Sequence, residues 1–366
     1  MNRQTTIALI KGDGIGVDVT DAAMAVVDAA ITKAGGETLH YAPILAGAGY
    51  YQQTGLDIEP DGEERAGDAD AILLGAIGLP SIRRPDGTEI APHLRLRDRY
   101  GLYAGVRPVK AYPNAPQRLA DPRAAGIDLI ILRESTEGLF YSAAVHGRGE
   151  VIGDSEARDI LRITRPTTEK LHNFAFRLAA RRKERGGMGK VTCVDKANVF
   201  NSMAFFRKIF DEIAPNYPDI AHDYAYVDAQ ALNMIRQPWD SDVLVMENMF
   251  GDILSDLGGG LVGGMGMAAC AEIGDNHGLF QPAHGTAPDI MGQDKANPLA
   301  AILSGALMLE YLSEKTGSDA YAIASRAVDS AVEAGFAANR IRPMEFGGDM
   351  GTIAVTNEVL AQIDSV

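Results

Sequence analysis

Apolar positions along the chain fall into two patterns. Short, mostly apolar runs occupy 5–10, 69–74, 128–132, 190–194 and 243–246, and each predicts a buried strand. Between them, apolar residues recur at helical spacing. One such stretch follows the first strand and runs to about Ala34, where Gly35-Gly36 stops it. Another starts at Pro166, suited to the first turn of a helix, and carries Leu171, Phe174, Ala175, Leu178 and Ala179. A third buries Phe205, Phe206, Ile209, Phe210 and Ile213, and two more span 299–312 and 320–334. Strand, glycine turn and helix at the start of the chain suggest a nucleotide-binding kind of fold.

The turn after the first strand, Lys11-Gly12-Asp13-Gly14-Ile15-Gly16, stands where a dinucleotide fingerprint would be. The third glycine of that fingerprint would fall at Val17, so the Rossmann pattern fails. What is left is a tight loop at a strand's carboxyl end, a usual place for ligands in open α/β sheets. A glycine-rich run from Gly258 to Gly266 lacks the Lys-Ser/Thr ending of a phosphate loop. It predicts close helix packing, with a subunit contact as one setting for it.

Composition narrows the partners. With 366 residues, 46% hydrophobic and 23% charged, the chain has length for two domains. Its net charge of −15 argues against nucleic acid or an anionic membrane as partner. An anionic ligand must then meet a local group of cations. Cys193 and Cys270 form neither a disulfide framework nor a metal spacing, and buried thiols are expected. The start of the chain lacks the form of a signal peptide, and no apolar stretch reaches the roughly 18 residues of a membrane span. A cytoplasmic protein is expected.

Arg97, Arg107 and Arg133 each stand beside a strand end or a turn. Converging, they would make forked donors for several carboxylates of one small molecule; the plainer reading is three surface arginines. In Asn248-Met249-Phe250-Gly251-Asp252-Ile253-Leu254-Ser255-Asp256, a helix would put Asp252 and Asp256 on one face, about 6 Å apart at Cβ. Two carboxylates so close repel unless a cation sits between them, and hard oxygen ligands suit Mg²⁺ or Mn²⁺. The alternative is a helix start that favours acidic residues. Ile253, Leu254 and Leu257 are expected to pack inward behind them. Lys196 follows the strand at 190–194 and reads as a structural ion pair or a catalytic amine. Asp228 follows another short strand. Arg181, Arg182, Lys183 and Arg185 complement a helix dipole.

Taken together, the ordered motifs resemble one family across nearly the whole chain. They are Gly12-Asp13-Gly14-Ile15-Gly16, Leu96-Arg97 to Arg107-Pro108, Arg133-Glu134, Val194-Asp195-Lys196-Ala197-Asn198, Tyr226-Val227-Asp228, Asn248 to Asp256, and His284-Gly285-Thr286-Ala287-Pro288-Asp289. The chain resembles the metal-dependent β-decarboxylating dehydrogenases, which include 3-isopropylmalate, isocitrate, homoisocitrate, tartrate and D-malate dehydrogenases.

The resemblance implies a two-domain, isopropylmalate-dehydrogenase-like α/β fold, non-Rossmann, with open mixed sheets flanked by helices. Residues 1–107 plus 269–366 would form the cofactor domain, and 108–268 a middle domain carrying metal ligands and a homodimer interface. Arg97, Arg107 and Arg133 would hold malate-like carboxylates, with His93 and Leu94 near the substrate's side chain. Asp228, Asp252 and Asp256 would hold Mg²⁺ or Mn²⁺, and Lys196 with Asp228 would be the general base. Lys196 and Asp228 would come from one subunit, Asp252 and Asp256 from the other. His284, Gly285, Thr286, Ala287, Asp289, Ile290 and Asn297 would bind NAD. Asp289-Ile290 stands where NADP-using relatives carry Lys and Tyr, so a 2′-phosphate would face an unbalanced negative charge.

Two departures from the family matter. Phe140 stands at the position of the family's catalytic tyrosine, and tyrosine appears one residue later, at Tyr141. In an extended segment neighbours face opposite ways, so Tyr141 would serve only if a bulge re-aimed it. Ala91 replaces the serine of isocitrate enzymes, and only Leu94 keeps the apolar surface of isopropylmalate enzymes beside His93. The expected activity is NAD-dependent oxidative decarboxylation of a 3-substituted malate, with a 3-isopropylmalate-like substrate favoured. Tartrate or D-malate is the alternative, as is hydride transfer with weak decarboxylation. A non-catalytic subunit would be expected to lose Lys196, Asp228, Asp252 or Asp256, and all four are present.

Overall fold

The computed structural model describes residues 4–142, 147 and 149–365. In chain order its strands are β1 (Thr6–Gly12), β2 (His40–Pro43), β3 (Ala71–Ala76), β4 (Ala104–Lys110), β5 (Asp128–Glu134), β6 (Glu150–Ile152) and β7 (Glu156–Arg158), followed by β8 (Lys190–Asp195), β9 (Ala221–Tyr226), β10 (Val243–Met246), β11 (Ala269–Ile273) and β12 (Gly278–Pro282). The α-helices are α1 (Gly16–Lys33), α2 (Ala48–Thr54), α3 (Gly62–Asp68), α4 (Pro92–Arg99), α5 (Arg165–Glu184), α6 (Asn201–Ile213), α7 (Val227–Arg236), α8 (Asn248–Leu261), α9 (Leu299–Thr316), α10 (Asp319–Ala337) and α11 (Thr352–Ser365). The five apolar runs all become strands, and the segment from Asn248 to Asp256 is helical.

Ten strands form one sheet in the order β2-β1-β3-β12-β11-β4-β5-β10-β8-β9. β2, β1, β3 and β12 run parallel to one another, as do β5, β10, β8 and β9. β11 and β4 join the two blocks through antiparallel pairings. The blocks therefore point opposite ways, and the carboxyl ends of β5, β10, β8 and β9 gather along one edge. Helices cover both faces, and β6 and β7 form a separate antiparallel arm. Among the described residues no helix is long and apolar enough to cross a membrane.

Two details of packing differ from expectation. Leu254 and Leu257 face inward, but Ile253 is 59% exposed. On a helix it stands about 100° round from Leu254, off the face that Leu254 turns inward. The basic end of α5 does more than complement a dipole. Arg182 pairs with buried Asp242 at 2.5 Å, Arg181 with Glu314 at 3.1 Å and Arg185 with Glu310 at 2.6 Å, which ties α5 to its neighbours. Both cysteines are buried thiols.

His172 of α5 sits wholly inside, with its Nε2 3.1 Å from the Phe206 carbonyl oxygen. The rings of Phe206 and Phe210 stand edge-on to it at 4.4 and 5.2 Å. Burial holds its pKa down at about 3, against an ordinary 6.5. The unfolded chain therefore takes up a proton below 6.5 that the folded chain refuses. This part of the stability is whole above pH 6.5 and is lost as pH falls toward 3, at about 1.4 kcal/mol per pH unit. Urea melts at pH 7 and pH 5 should differ by about 2 kcal/mol from this group alone. In His172→Phe that share of the difference disappears.

Candidate active site

The strand edge assembles four pieces of chemistry because each follows a parallel strand. Arg133 ends β5, α8 follows β10, Lys196 follows β8, and Asp228 follows β9 in the first turn of α7. β4 runs alongside and contributes Arg107 from within the strand, while α4 supplies Arg97.

The three arginines do converge, and all are buried. They close around Glu272 of β11, a residue that pattern reading overlooked. Arg97 Nη2 lies 3.0 Å and Arg107 Nη2 3.3 Å from Glu272 Oε1. Burial alone would push this carboxyl up; Arg97, Arg107 and Arg133 outweigh it and hold Glu272 below its ordinary value. Arg133 is pushed down to about 10 by burial and by the charges of Arg107 and Arg97. Among the described residues, the Nε atoms of Arg97 and Arg107 are buried without a partner. Gly105, paired with Glu272 across the ladder, leaves room here: a Cβ would stand 2.6 Å from Ser135 Oγ. A glutamate in the apolar run of β11 was the available signal, since three buried guanidinium groups need a counter-charge.

α8 is docked on this cluster. Glu247 caps it by accepting from the Phe250 backbone N–H at 2.8 Å. Asn248 accepts from Arg133 Nε at 2.8 Å and donates to the Glu137 carbonyl at 3.0 Å. A Cβ on Gly251 would stand 2.6 Å from the Arg133 side chain, so glycine is what lets the helix lie against that arginine. Asp252 then pairs with Arg133 through Nη1. Asp256 is raised above its ordinary value by burial and by the neighbouring charge of Asp252. Two carboxylates crowded on one helix face each disfavour the charged form of the other.

Lys196 Nζ lies 2.6 Å from Asp228 Oδ1, and this hydrogen bond holds the Asp228 carboxyl below its usual value. Among the described residues, no three His, Cys, Asp or Glu side chains of one chain come together as a metal site. Asp252 with Asp256 on α8, and Lys196 with Asp228, stand as two separate pairs. Around them Phe200, Leu232, Ile235 and Ile253 are exposed apolar residues.

Residues Leu139–Ser142 form a 3₁₀ turn rather than an extended segment. Phe140 is the ring lying over Arg133, at 5.0 Å from the guanidinium carbon, and Tyr141 lies over Arg162 at 4.4 Å. Arg162 in turn reaches buried Glu137 at 3.2 Å. His93 stands near Arg97 and Glu272; burial first, then Arg97, holds its pKa down at about 3, so its imidazole is neutral. Its Nδ1 is buried without a partner among the described residues. Ala91 and Leu94 line a cavity of about 490 Å³, with Val151, Ala157 and Arg158 of the β6–β7 arm across it.

The other parallel block brings the second group of predicted residues together. Asp13 is a buried clamp that sequence reading did not single out. Its carboxylate accepts from the backbone N–H groups of Ala48 (2.7 Å), Gly49 (2.8 Å) and Gly78 (2.9 Å). Gly14, at φ +56°, lets the turn touch the segment after β12, where the Ile15 N–H donates to the Thr286 carbonyl at 2.8 Å. Thr286 Oγ1 donates to the Gly78 carbonyl at 2.6 Å. His284 Nδ1 lies 2.8 Å from the Gly285 carbonyl, its Nε2 is buried without a partner among the described residues, and burial lowers its pKa. Ala287 takes a φ of +34°, and Pro288–Ile290 follow as a 3₁₀ turn. The Asp289 carboxylate is exposed and makes no hydrogen bond or ion pair among the described residues. Asn297 donates to Glu345 at 2.9 Å and accepts from the Leu299 N–H at 3.2 Å.

Comparison with known proteins agrees on one relationship. Residues 6–363 match the family described as isocitrate/isopropylmalate dehydrogenase. The 3-isopropylmalate/3-methylmalate dehydrogenase of Methanocaldococcus jannaschii is 39% identical over 358 residues, covering 98% of both chains. The 3-isopropylmalate dehydrogenase of Heyndrickxia coagulans is 37% identical, over 98% of this chain and 96% of its own. Among solved structures, isocitrate dehydrogenase from Methylococcus capsulatus superposes with a TM-score of 0.83 at 32% identity, covering 98% of this chain and 99% of its own. A β-decarboxylating dehydrogenase from Thermococcus kodakarensis gives 0.78 at 34%, covering 99% and 97%.

Proposed function

Because the chain belongs to the isocitrate/isopropylmalate dehydrogenase family, we propose that it oxidises and decarboxylates a 3-substituted malate with NAD⁺, a 3-isopropylmalate-like substrate being favoured. The buried arginine cluster carries this reading. Three buried guanidinium groups, set against the carboxylates of Glu272 and Asp252, keep a net positive charge and forked donors for a carboxylate-bearing substrate. Leu94 and Val151 give the cavity beside α4 an apolar part.

A divalent cation held by Asp252, Asp256 and the partner subunit's Asp228 would polarise the substrate's C2 hydroxyl and stabilise the enolate formed on loss of CO₂. Arg97, Arg107 and Arg133 fix the carboxylates and so aim C2. Lys196 takes the hydroxyl proton, its Nζ positioned by Asp228. The turn from His284 to Ile290 and Asn297 would seat NAD⁺, which would supply the hydride acceptor, and the exposed carboxylate of Asp289 would accept from its ribose hydroxyls. The enzyme is a homodimer in this reading. Exposed Phe200, Leu232, Ile235 and Ile253 surround the two half-sites and are the apolar surface a second subunit would cover. The chain divides at 107/108 and 268/269 into a cofactor unit and a middle unit.

Phe140 supports a second reading, hydride transfer with slow decarboxylation, because the ring over Arg133 has no hydroxyl to protonate an enolate. One experiment separates the readings. Purified protein with NAD⁺ and Mn²⁺ is given 3-isopropylmalate, D-malate, tartrate and isocitrate, and NADH and CO₂ are measured together. The expected result is NADH with matching CO₂ from 3-isopropylmalate. If CO₂ lags behind NADH and Phe140→Tyr restores it, the second reading holds. If Tyr141→Phe stops CO₂ release, Tyr141 is the proton donor in spite of its place against Arg162.

A further inference from the structure

A cavity of about 540 Å³ lies on the face of the sheet opposite the arginine cluster, between α5 and α9. Its size falls within the range of small-molecule sites, about 300–1,000 Å³. Val106, Ile130, Ala271 and Ile273 line it from the sheet, and Phe174 and Leu178 from α5. Strand alternation fixes its relation to the catalytic face. Val106 precedes Arg107, and Ala271 and Ile273 flank Glu272, so the same two strands present a dry surface here and the charged cluster on the other side.

The rim is charged, and its partners can be followed one by one. Asp275 pairs with Lys170 at 2.5 Å, Glu310 with Arg185 at 2.6 Å and Glu314 with Arg181 at 3.1 Å. Each of these carboxylates has a cation. Arg177, by contrast, has no hydrogen bond or ion pair among the described residues. Arg181 stands one helical turn further along α5; its Nη1 is taken by Glu314, and its Nε is buried without an acceptor among the described residues. Residues so spaced are neighbours on a helix face. Two adjacent guanidinium groups with unused N–H donors, above an apolar surface, form a seat for one carboxylate attached to an apolar body.

We propose that this cavity is a second ligand site, for a small monocarboxylic acid with an apolar body held between Arg177 and Arg181. Neither arginine belongs to the site at the strand edge, so the proposal stands apart from the choice of substrate.

The test is calorimetric titration of the full-length protein with 4-phenylbutyrate, and with its neutral amide as control. Acid binding is expected at one site per chain, undiminished by saturating 3-isopropylmalate. The amide should bind at least about tenfold more weakly, and Arg177→Gln and Arg181→Gln should each weaken the acid by about tenfold. NADH formation by Arg177→Gln should stay within about twofold of the parent, since the change is on the surface. The proposal is overturned if the acid does not bind, if 3-isopropylmalate displaces it, if the amide binds equally well, or if both variants bind the acid as the parent does.

Discussion

Lys196→Met should lower NADH formation by about a hundred- to ten-thousandfold, the usual contribution of a positioned general base. Methionine keeps the length and apolar stem of lysine and removes the amine. The amine's role is local: Nζ lies 2.6 Å from Asp228 Oδ1 at the end of β8. Packing should survive, because the strand before it is buried by its own apolar residues. The change should therefore appear in kcat far more than in KM for the dicarboxylate, which the arginines hold. A rise in pH should not rescue the variant, whereas an enzyme slowed only by a shifted proton equilibrium would recover. Rate profiles between pH 6 and 10 check this; a fall of less than about tenfold would remove Lys196 from the base role.

The second large effect comes from mixing two dead enzymes. Asp252→Asn should cost several kcal/mol of transition-state stabilisation, about a thousandfold or more in rate, by weakening the cation site. If each site is built from Lys196 and Asp228 of one subunit and Asp252 and Asp256 of the other, a mixed dimer of Lys196→Met and Asp252→Asn contains one site with both defects. Its other site is intact. Random reassociation of equal amounts makes half the dimers mixed, so about one quarter of the parent activity should return. Unfolding and refolding the two variants together, then separately, is the comparison. Without recovery in the mixture, the half-sites do not join across subunits. The observation behind this prediction is that Asp252 and Asp256 do not meet a third ligand within one chain, among the described residues.

Much of the sheet was readable because five strands carry a continuous, mostly apolar run, and buried parallel strands leave that mark. Strands β4, β11 and β12 were harder. β4 carries Arg107 and Pro108, and β11 carries Glu272, so charge and proline break the apolar run where the site is built. Local pattern fails there because tertiary pairing supplies the compensation: each buried charge is answered by another from a distant segment. Ile253 is the converse case. Its apolarity predicted burial within the chain, but helix geometry turns it outward. The acidic pair on α8, the lysine after β8 and the three arginines were visible as residue types at element ends. Their convergence was not visible, since it depends on strands far apart in sequence being neighbours in the sheet. The turn that puts Phe140 over Arg133 was misjudged as extended, because nothing in Leu139-Phe140-Tyr141-Ser142 announces a 3₁₀ turn.

The continuity of the ten-stranded sheet bears on how the site would open. The proposed boundaries at 107/108 and 268/269 fall within β4 and at the start of β11. These strands pair with each other, and β4 is hydrogen-bonded along its whole length to β5. The two halves are thus joined by woven backbone, with no slack tether between them. Movement of one against the other must twist or bend the sheet, and the restoring force grows with the angle. Opening of this kind behaves as a leaf spring does: small in amplitude, reversible and self-returning.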